Sequence, residues 1–188
     1  MEVRRLEIPE VLVFGPTKVT DARGHLSESF RQDVFASACG EAISFVQENV
    51  LFSREAGTVR GFHFQSPPHA QAKLVRVTRG AILDFALDLR IGSATYGRVA
   101  QADLTAADGA QIYLPVGFAH GFITCEPDTE VTVKLSDYYH APSQGIVAWD
   151  DPLVAAPWPL GGRAPIVSER DAAGLPFDRL VSPFRLIA

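Results

Sequence analysis

His63 lies in Arg60–Gln65 (RGFHFQ), a segment of alternating β character, and Lys73 opens the next such segment. His120 follows a Pro-x-Gly turn inside Pro115–Phe122 (PVGFAHGF). Histidine is the side chain whose ordinary pKa suits a general base near neutral pH, and a cation beside it stabilises a developing oxyanion. A base and a cation in one pocket can move a proton next to a carbonyl. Several imidazoles in one pocket can also hold a metal. Arg60 and Gln65 cluster with His63 and Lys73, and polar groups converging inside an apolar interior are costly unless something uses them.

The elements that must position these groups are strands. Val11–Phe14, Leu26–Phe30, Phe45–Ser53, Val59–Gln65, Lys73–Thr78, Ala81–Leu89, Gly97–Leu104, Gln111–Leu114, Gly121–Thr124 and Glu130–Leu135 are short, rich in Val, Ile, Phe and Leu, and bounded by Gly, Pro, Asp or Ser. Arg79-Gly80 reads as a tight hairpin and Asp21–Gly24 as a turn, while only Gln32–Ser37 and the region after Ser168 read as helix. Many strands without alternating long helices predict an all-β sandwich or barrel with a few short helices. The strand period of two puts Lys73, Val75 and Val77 on one face, and Asp84, Ala86 and Asp88 on a face opposite Phe85 and Leu87. A carboxylate such as Asp84 in that apolar setting needs a cation, with Lys73 the natural candidate. His63 shares its face with Gly61 and Gln65 but not Arg60; a bulge at Gly61 would turn both side chains toward one cavity.

At 188 residues the chain suits one domain, spanning 1–188, with a Pro- and Gly-rich tail of about 35 residues wrapping the barrel. The net charge of -5 argues against nucleic-acid binding but leaves room for an anionic small molecule in a locally basic pocket. Cys39 and Cys125 are expected as two buried thiols in a reducing cytosol rather than a disulfide. MEVRRLEIPE lacks the apolar core of a signal peptide, and no apolar run is long enough for a bilayer, so the expectation is a soluble, cytoplasmic protein with no membrane partner.

Pro115-x-Gly117-x-x-His120 resembles the second signature of cupin barrels, whose metal-binding members use that histidine as a ligand. The first signature needs His-x-His and a following glutamate, whereas this chain has His63-Phe64-Gln65. The expectation is therefore a metal-free cupin, a jelly-roll β-sandwich barrel without a cofactor. RGFHFQ with PPHAQAKLVRV, the hairpin RGAILDFALDLR, PVGFAHGF, SDYYH at Ser136–His140, WDDP at Trp149–Pro152 and SERD at Ser168–Asp171 together resemble the dTDP-4-dehydrorhamnose 3,5-epimerase family, from about Val11 to Leu175.

That resemblance implies action on a nucleotide-diphospho-4-keto-6-deoxyhexose through an enolate. It implies His63 as the base, Asp171 as the carboxylate that holds this histidine, and Lys73 as the cation on the enolate oxygen. It further implies His120 at the reacting end, Arg23 and Arg60 as cationic contacts, Gln47 and Asn49 on the nucleotide side, and Tyr139, Glu28 and Arg170 as other substrate contacts. A homodimer is implied because barrels of the family exchange edge strands, and Phe45–Phe52 would otherwise be an exposed apolar edge. Ser168-x-x-Asp171 has an ordinary reading as a helix capping box, and Arg23 as a solvated turn residue.

One position departs from the family. The tyrosine that returns the proton opposite the histidine normally precedes the lysine leading to SDYY; here Val133 precedes Lys134. Valine has no proton to give, so water or another side chain must supply it, or one of two epimerisations is lost. The rivals are a single-carbon epimerase of a different nucleotide sugar, a metal-dependent cupin such as a dioxygenase, and a sugar-binding protein without catalysis.

Overall fold

The computed structural model describes residues 1–186. The chain begins with β1 (Glu2–Arg5), β2 (Leu12–Gly15), a hairpin of β3 (Lys18–Asp21) and β4 (Gly24–Ser27), helix α1 (Gln32–Cys39) and β5 (Gln47–Ser53). The middle supplies β6 (Thr58–Gln65), β7 (Lys73–Arg79), β8 (Ala81–Asp88), β9 (Arg90–Ile91) and β10 (Val99–Thr105). Then come β11 (Gln111–Leu114), β12 (Phe118–Thr124), β13 (Thr129–Leu135), β14 (Gln144–Ile146), β15 (Ile166–Val167), helix α2 (Glu169–Ala172) and β16 (Phe184–Arg185).

Alternating apolar residues make two sheets that face each other. One runs β1-β2-β11-β7-β13-β5; the other runs β10-β8-β12-β6-β14, with β15 added to β6. Val75, Val131, Val133 and Leu135 of the first sheet pack against Ala86, Ala100, Phe118 and Phe122 of the second. The second sheet is apolar on both sides. Its outer residues Phe62, Phe64, Phe85 and Leu87 are covered by Trp158, Phe177, Leu180 and Phe184 of the C-terminal tail. Helix α1 closes the outer face of the first sheet through Phe35, which meets Phe14, Leu74 and Tyr113. The result is the all-β, cupin-type sandwich with short helices that the strand pattern predicts.

Several details differ from the sequence reading. The strand expected over Leu26–Phe30 stops at Ser27, because Phe30 packs instead on the rings of Phe35 and Phe45. The strand expected from Gly121 begins at Phe118, since Phe118–His120 pairs with β8. Asp88 keeps the face of Asp84 and Ala86, as the parity predicts, opposite the inward Phe118, but its carboxylate is taken up by Arg90, Ser93 and Thr95. Neither thiol is buried as expected: Cys39 is half-buried at the end of α1 and Cys125 is exposed just beyond β12, where alternation no longer sets its direction; both are free. Strands β1, β3, β9 and β14–β16 went unread because they are two to four residues long and carry no alternating apolar run.

Gly61 and Gly121 let β6 and β12 approach closely. His120 pairs with His63, then the register shifts so that Phe122 pairs with Arg60. Two residues of β6 thus oppose one of β12, which brings Arg60 to the side of the sheet that His63 occupies. Gly61 has φ +123°, and a Cβ there would lie 2.4 Å from Gly121 Cα and 2.6 Å from the His120 carbonyl. Backbone cannot yield as a flexible side chain can. Gly61→Ala should therefore destabilise the fold by at least about 2 kcal/mol, lowering Tm by roughly 4–8 °C in a thermal melt.

Candidate active site

His63 projects from β6 and meets a carboxylate delivered by the tail. Asp171 Oδ1 lies 2.6 Å from His63 Nε2, and the other oxygen accepts a hydrogen bond from the Gly61 N–H at 3.3 Å. The capping reading of Ser168 also holds, because its hydroxyl accepts the Asp171 backbone N–H at 3.1 Å. The cap fixes the backbone of Asp171 and leaves its carboxylate free for the histidine. Burial pushes the Asp171 carboxyl up, but the His63 hydrogen bond and charge, the Gly61 N–H and Arg60 outweigh this and hold it below the ordinary carboxylate range. With Nε2–H donated to Asp171, Nδ1 carries the lone pair. The His63 side chain is 33% exposed, open to a substrate on one side and supported on the other.

Lys73 rises from β7 on the opposite sheet, 7% exposed, and donates from Nζ to the His63 carbonyl at 2.7 Å. Burial lowers its pKa to about 8 against the opposing pull of Asp84. The direct partner of Asp84 is not Lys73, as the parity argument expects, but His120, whose Nε2 lies 2.7 Å from Asp84 Oδ2. His120 sits on β12 directly beside Asp84's strand, while Lys73 reaches Asp84 through charge alone. Burial pushes the Asp84 carboxyl up and the His120 imidazole down, so the pair favours its neutral forms. Asp84 Oδ1 is buried without a partner among the described residues.

Register identifies the wall opposite His63. Val133 pairs with Val75 on one side and Asn49 on the other, and Leu135 pairs with Lys73 and Gln47. Directly opposed residues share a face, so Lys73, Val133, Gln47 and Asn49 all point into the gap between the sheets. Gln47 and Asn49 are joined by a hydrogen bond of 3.0 Å. Val133 is buried in the common core.

Other expected contacts fall into two groups, one around Gln144 and one at the end of β5. The Tyr139 hydroxyl donates to Gln144 Oε1 at 2.8 Å, and Arg170 donates to the same oxygen. Arg60 donates to the Phe52 carbonyl at 3.0 Å and to Ser53 Oγ at 3.3 Å. Gln65, which the sequence groups with His63 without giving it a role, ties the Tyr138–His140 loop down. Its amide donates to the His69 and Tyr138 carbonyls and accepts the His140 N–H. The signal was present: a glutamine two residues from His63 on the same face, with no charge to solvate. Asp84 was legible from its apolar neighbours in the same way. Arg23 and Glu28 are not brought to His63. Both are exposed on and just after the β3–β4 hairpin, and among the described residues Arg23 forms an ion pair only with Asp21, at 2.6 Å.

This arrangement can move a proton. A histidine held by a buried carboxylate is a positioned base, and a desolvated ammonium close by stabilises negative charge on oxygen. Among the described residues no three His, Cys, Asp or Glu side chains are grouped to hold a metal ion. A separate cleft of about 340 Å³ lies toward the other end of β6, and among the described residues lining it Arg163 alone is charged. Because the Asp171 pKa is lowered on folding, its stabilising contribution is complete above about pH 4 and lost as pH falls through the lowered value. Asp171→Asn should flatten the acid limb of a Tm-against-pH curve and lower turnover by about 10²–10⁴.

Known proteins share this architecture. Residues 5–179 match the family described as dTDP-4-dehydrorhamnose 3,5-epimerase. A dTDP-4-dehydrorhamnose 3,5-epimerase of Sinorhizobium fredii is 43% identical over 173 residues, covering 92% of this chain and 88% of that protein. The crystal structure of a dTDP-6-deoxy-D-glucose-3,5-epimerase from Legionella pneumophila, in complex with dTDP-4-keto-L-rhamnose, is 33% identical with a TM-score of 0.93 and covers 100% of this chain and 99% of that one. A 3'-monoepimerase from Streptomyces bikiniensis, solved in complex with dTDP-quinovose, is 31% identical with a TM-score of 0.85, over 92% of this chain and 86% of that one. With matches of this extent over the residues that build the two sheets and the histidine–carboxylate pair, the chain belongs to the dTDP-4-dehydrorhamnose 3,5-epimerase family.

Proposed function

We propose that residues 1–188 act as one catalytic domain that epimerises a nucleotide-diphospho-4-keto-6-deoxyhexose, in deoxysugar biosynthesis of the dTDP-rhamnose kind. The observation that carries this reading is the His63–Asp171 pair at 2.6 Å beside the buried Lys73 ammonium. His63 Nδ1 takes the proton from a carbon next to the ketone. The C–H electron pair moves onto the ketone oxygen, and Lys73 stabilises the resulting enolate. Return of a proton to the opposite face inverts the carbon. Asp171 holds the imidazole in the required tautomer and stabilises its protonated form, and no cofactor enters this chemistry.

Substrate contacts follow from the same geometry. His120, with Asp84 behind it, borders the reacting end. Arg60, Gln47, Asn49, Tyr139 and Arg170 surround the mouth, where the nucleotide diphosphate is held. Arg23 and Glu28 act in the site of a second copy. Their hairpin pairs with neither main sheet and exposes Leu26, 76% accessible. Edge strand β5 exposes Val50 and Phe52 on the face away from Gln47 and Asn49. A homodimer covers both features. The partners are thus a nucleotide sugar and a second copy, with no nucleic acid or membrane. The two free thiols suit a reducing, cytoplasmic setting.

A second reading, inversion at one ring carbon only, is favoured by Val133, which presents methyl groups where the family has a phenol. The 3'-monoepimerase among the similar structures is a relative of that kind.

Proton NMR of dTDP-4-keto-6-deoxyglucose in deuterated buffer reads the ring positions that exchange. The wild type should take up deuterium next to the ketone, whereas His63→Asn should lose uptake by about 10²–10⁴ and still bind nucleotide. Full exchange by the variant would remove His63 from the base role. Light scattering should give twice the chain mass for the wild type, and Val50→Lys with Phe52→Lys should shift it toward the monomer.

A further inference from the structure

We propose that Gln65, with Gln71 beside it, is a positioning residue for the nucleotide end of the substrate, holding the Ser136–His140 loop in its binding position; this rests on the epimerase reading above. Both glutamines are buried. A primary amide taken out of water is costly unless its donors and acceptor find partners. The partners found here are backbone groups. The Gln65 amide donates to the His69 carbonyl at 2.7 Å and to the Tyr138 carbonyl at 3.2 Å, and its oxygen accepts the His140 N–H at 2.7 Å. Gln71 donates to the Asp137 carbonyl at 2.8 Å. Three consecutive residues of the loop are thus fastened to two buried amides.

These anchors grip the main chain and leave the tyrosines of the loop outside, where Tyr138 and Tyr139 are both exposed. The segment lies between β13 and β14 and belongs to neither. An exposed connection without a ladder of its own is ordinarily mobile. Tyr139 is nevertheless fixed at both ends: its N–H donates to Gln47 Oε1 at 2.9 Å and its hydroxyl to Gln144 Oε1 at 2.8 Å. The His69 ring also stacks on the His140 ring across the same seam, with centroids 4.1 Å apart. A loop fixed in advance binds without paying for its own ordering. A released loop binds with an affinity reduced by the fraction of time it spends in place. Gln65 shares a strand face with His63, yet its hydrogen bonds among the described residues all go to the loop side, while His63 is held separately by Asp171. Its effect therefore falls on binding and not on proton abstraction.

The test separates binding from chemistry, with dTDP affinity read by calorimetry and turnover read as deuterium uptake into saturating dTDP-4-keto-6-deoxyglucose. Gln65→Met keeps the length of the side chain and loses all three hydrogen bonds. Each such bond shifts an equilibrium by about two- to tenfold, so dTDP affinity should fall by about 10- to 100-fold. Uptake at saturation should stay within about threefold of the wild type, the pattern of a lost binding contribution. In a Tyr139→Ala background the same substitution should cost little more, because the side chain that the loop delivers is already gone. Unchanged dTDP affinity in Gln65→Met, or losses that simply add in the double variant, would overturn the proposal. So would a fall in uptake at saturation with affinity intact, which assigns Gln65 to His63 instead. Should Gln65→Met lose binding and uptake together by failing to fold, Gln71→Met decides, since it removes a single bond to the same loop. It should weaken dTDP by about two- to tenfold with uptake at saturation unchanged, and full affinity there would sink the idea. A wild type that takes up no deuterium would sink the epimerase reading itself.

Discussion

Two apolar sheets close on a lysine, an aspartate and a histidine, and these buried groups impose the strictest condition on the molecule. Lys73, Asp84 and His120 lie in the same gap as Val75, Val133, Ala86 and Phe118. Removing a charge from water costs several kcal/mol unless the surroundings compensate. Compensation comes from the 2.7 Å contact of His120 with Asp84, the 2.7 Å bond from Lys73 to the His63 carbonyl, and a mutual field that none of the three makes alone. The residual cost appears as shifted proton affinity: the ammonium becomes easier to deprotonate and the carboxyl harder. The environment that makes these groups expensive also makes them reactive, which is the usual physical signature of a site for proton chemistry.

The other half of the site comes from far along the chain. Asp171 reaches His63 because the tail crosses the outer face of the second sheet, pairs as β15 with β6, and turns into α2 under the Ser168 cap. Trp158, Phe177, Leu180 and Phe184 bury their rings and branches on that face. The tail's apolar packing therefore anchors His63 as well as the fold. Gly61 serves the same end at the backbone level, with its N–H on Asp171 and its missing Cβ allowing β12 to approach.

Much of this was legible in advance where local rules apply. Alternation located the long strands, and the parity of Lys73 with Val75 and of Asp84 with Ala86 put both polar groups inside. The bulge at Gly61 was readable from a glycine in a strand whose neighbours needed to share a cavity. Short strands such as β14 and β15 were not, because pairing with β6 rather than residue pattern makes them strands. Asp84's bond to His120 instead of Lys73 was equally hidden, since strand order decides which neighbour is adjacent.

Residue types and spacing by themselves determined that the protein is all-β, that histidines, a lysine and carboxylates of the kinds that transfer protons fall on its strands, and that valine stands at position 133. Only the tertiary structure decided which of these groups meet. The sheet order, the register of β13 against β5 and β7, and the return of the tail put His63 on one wall and Lys73 with Val133 on the other. A sequence specifies which side of its own strand each residue occupies, through the pleat. The distance between two strands far apart in the chain is set by how whole sheets pack, and that is a property of every apolar contact at once.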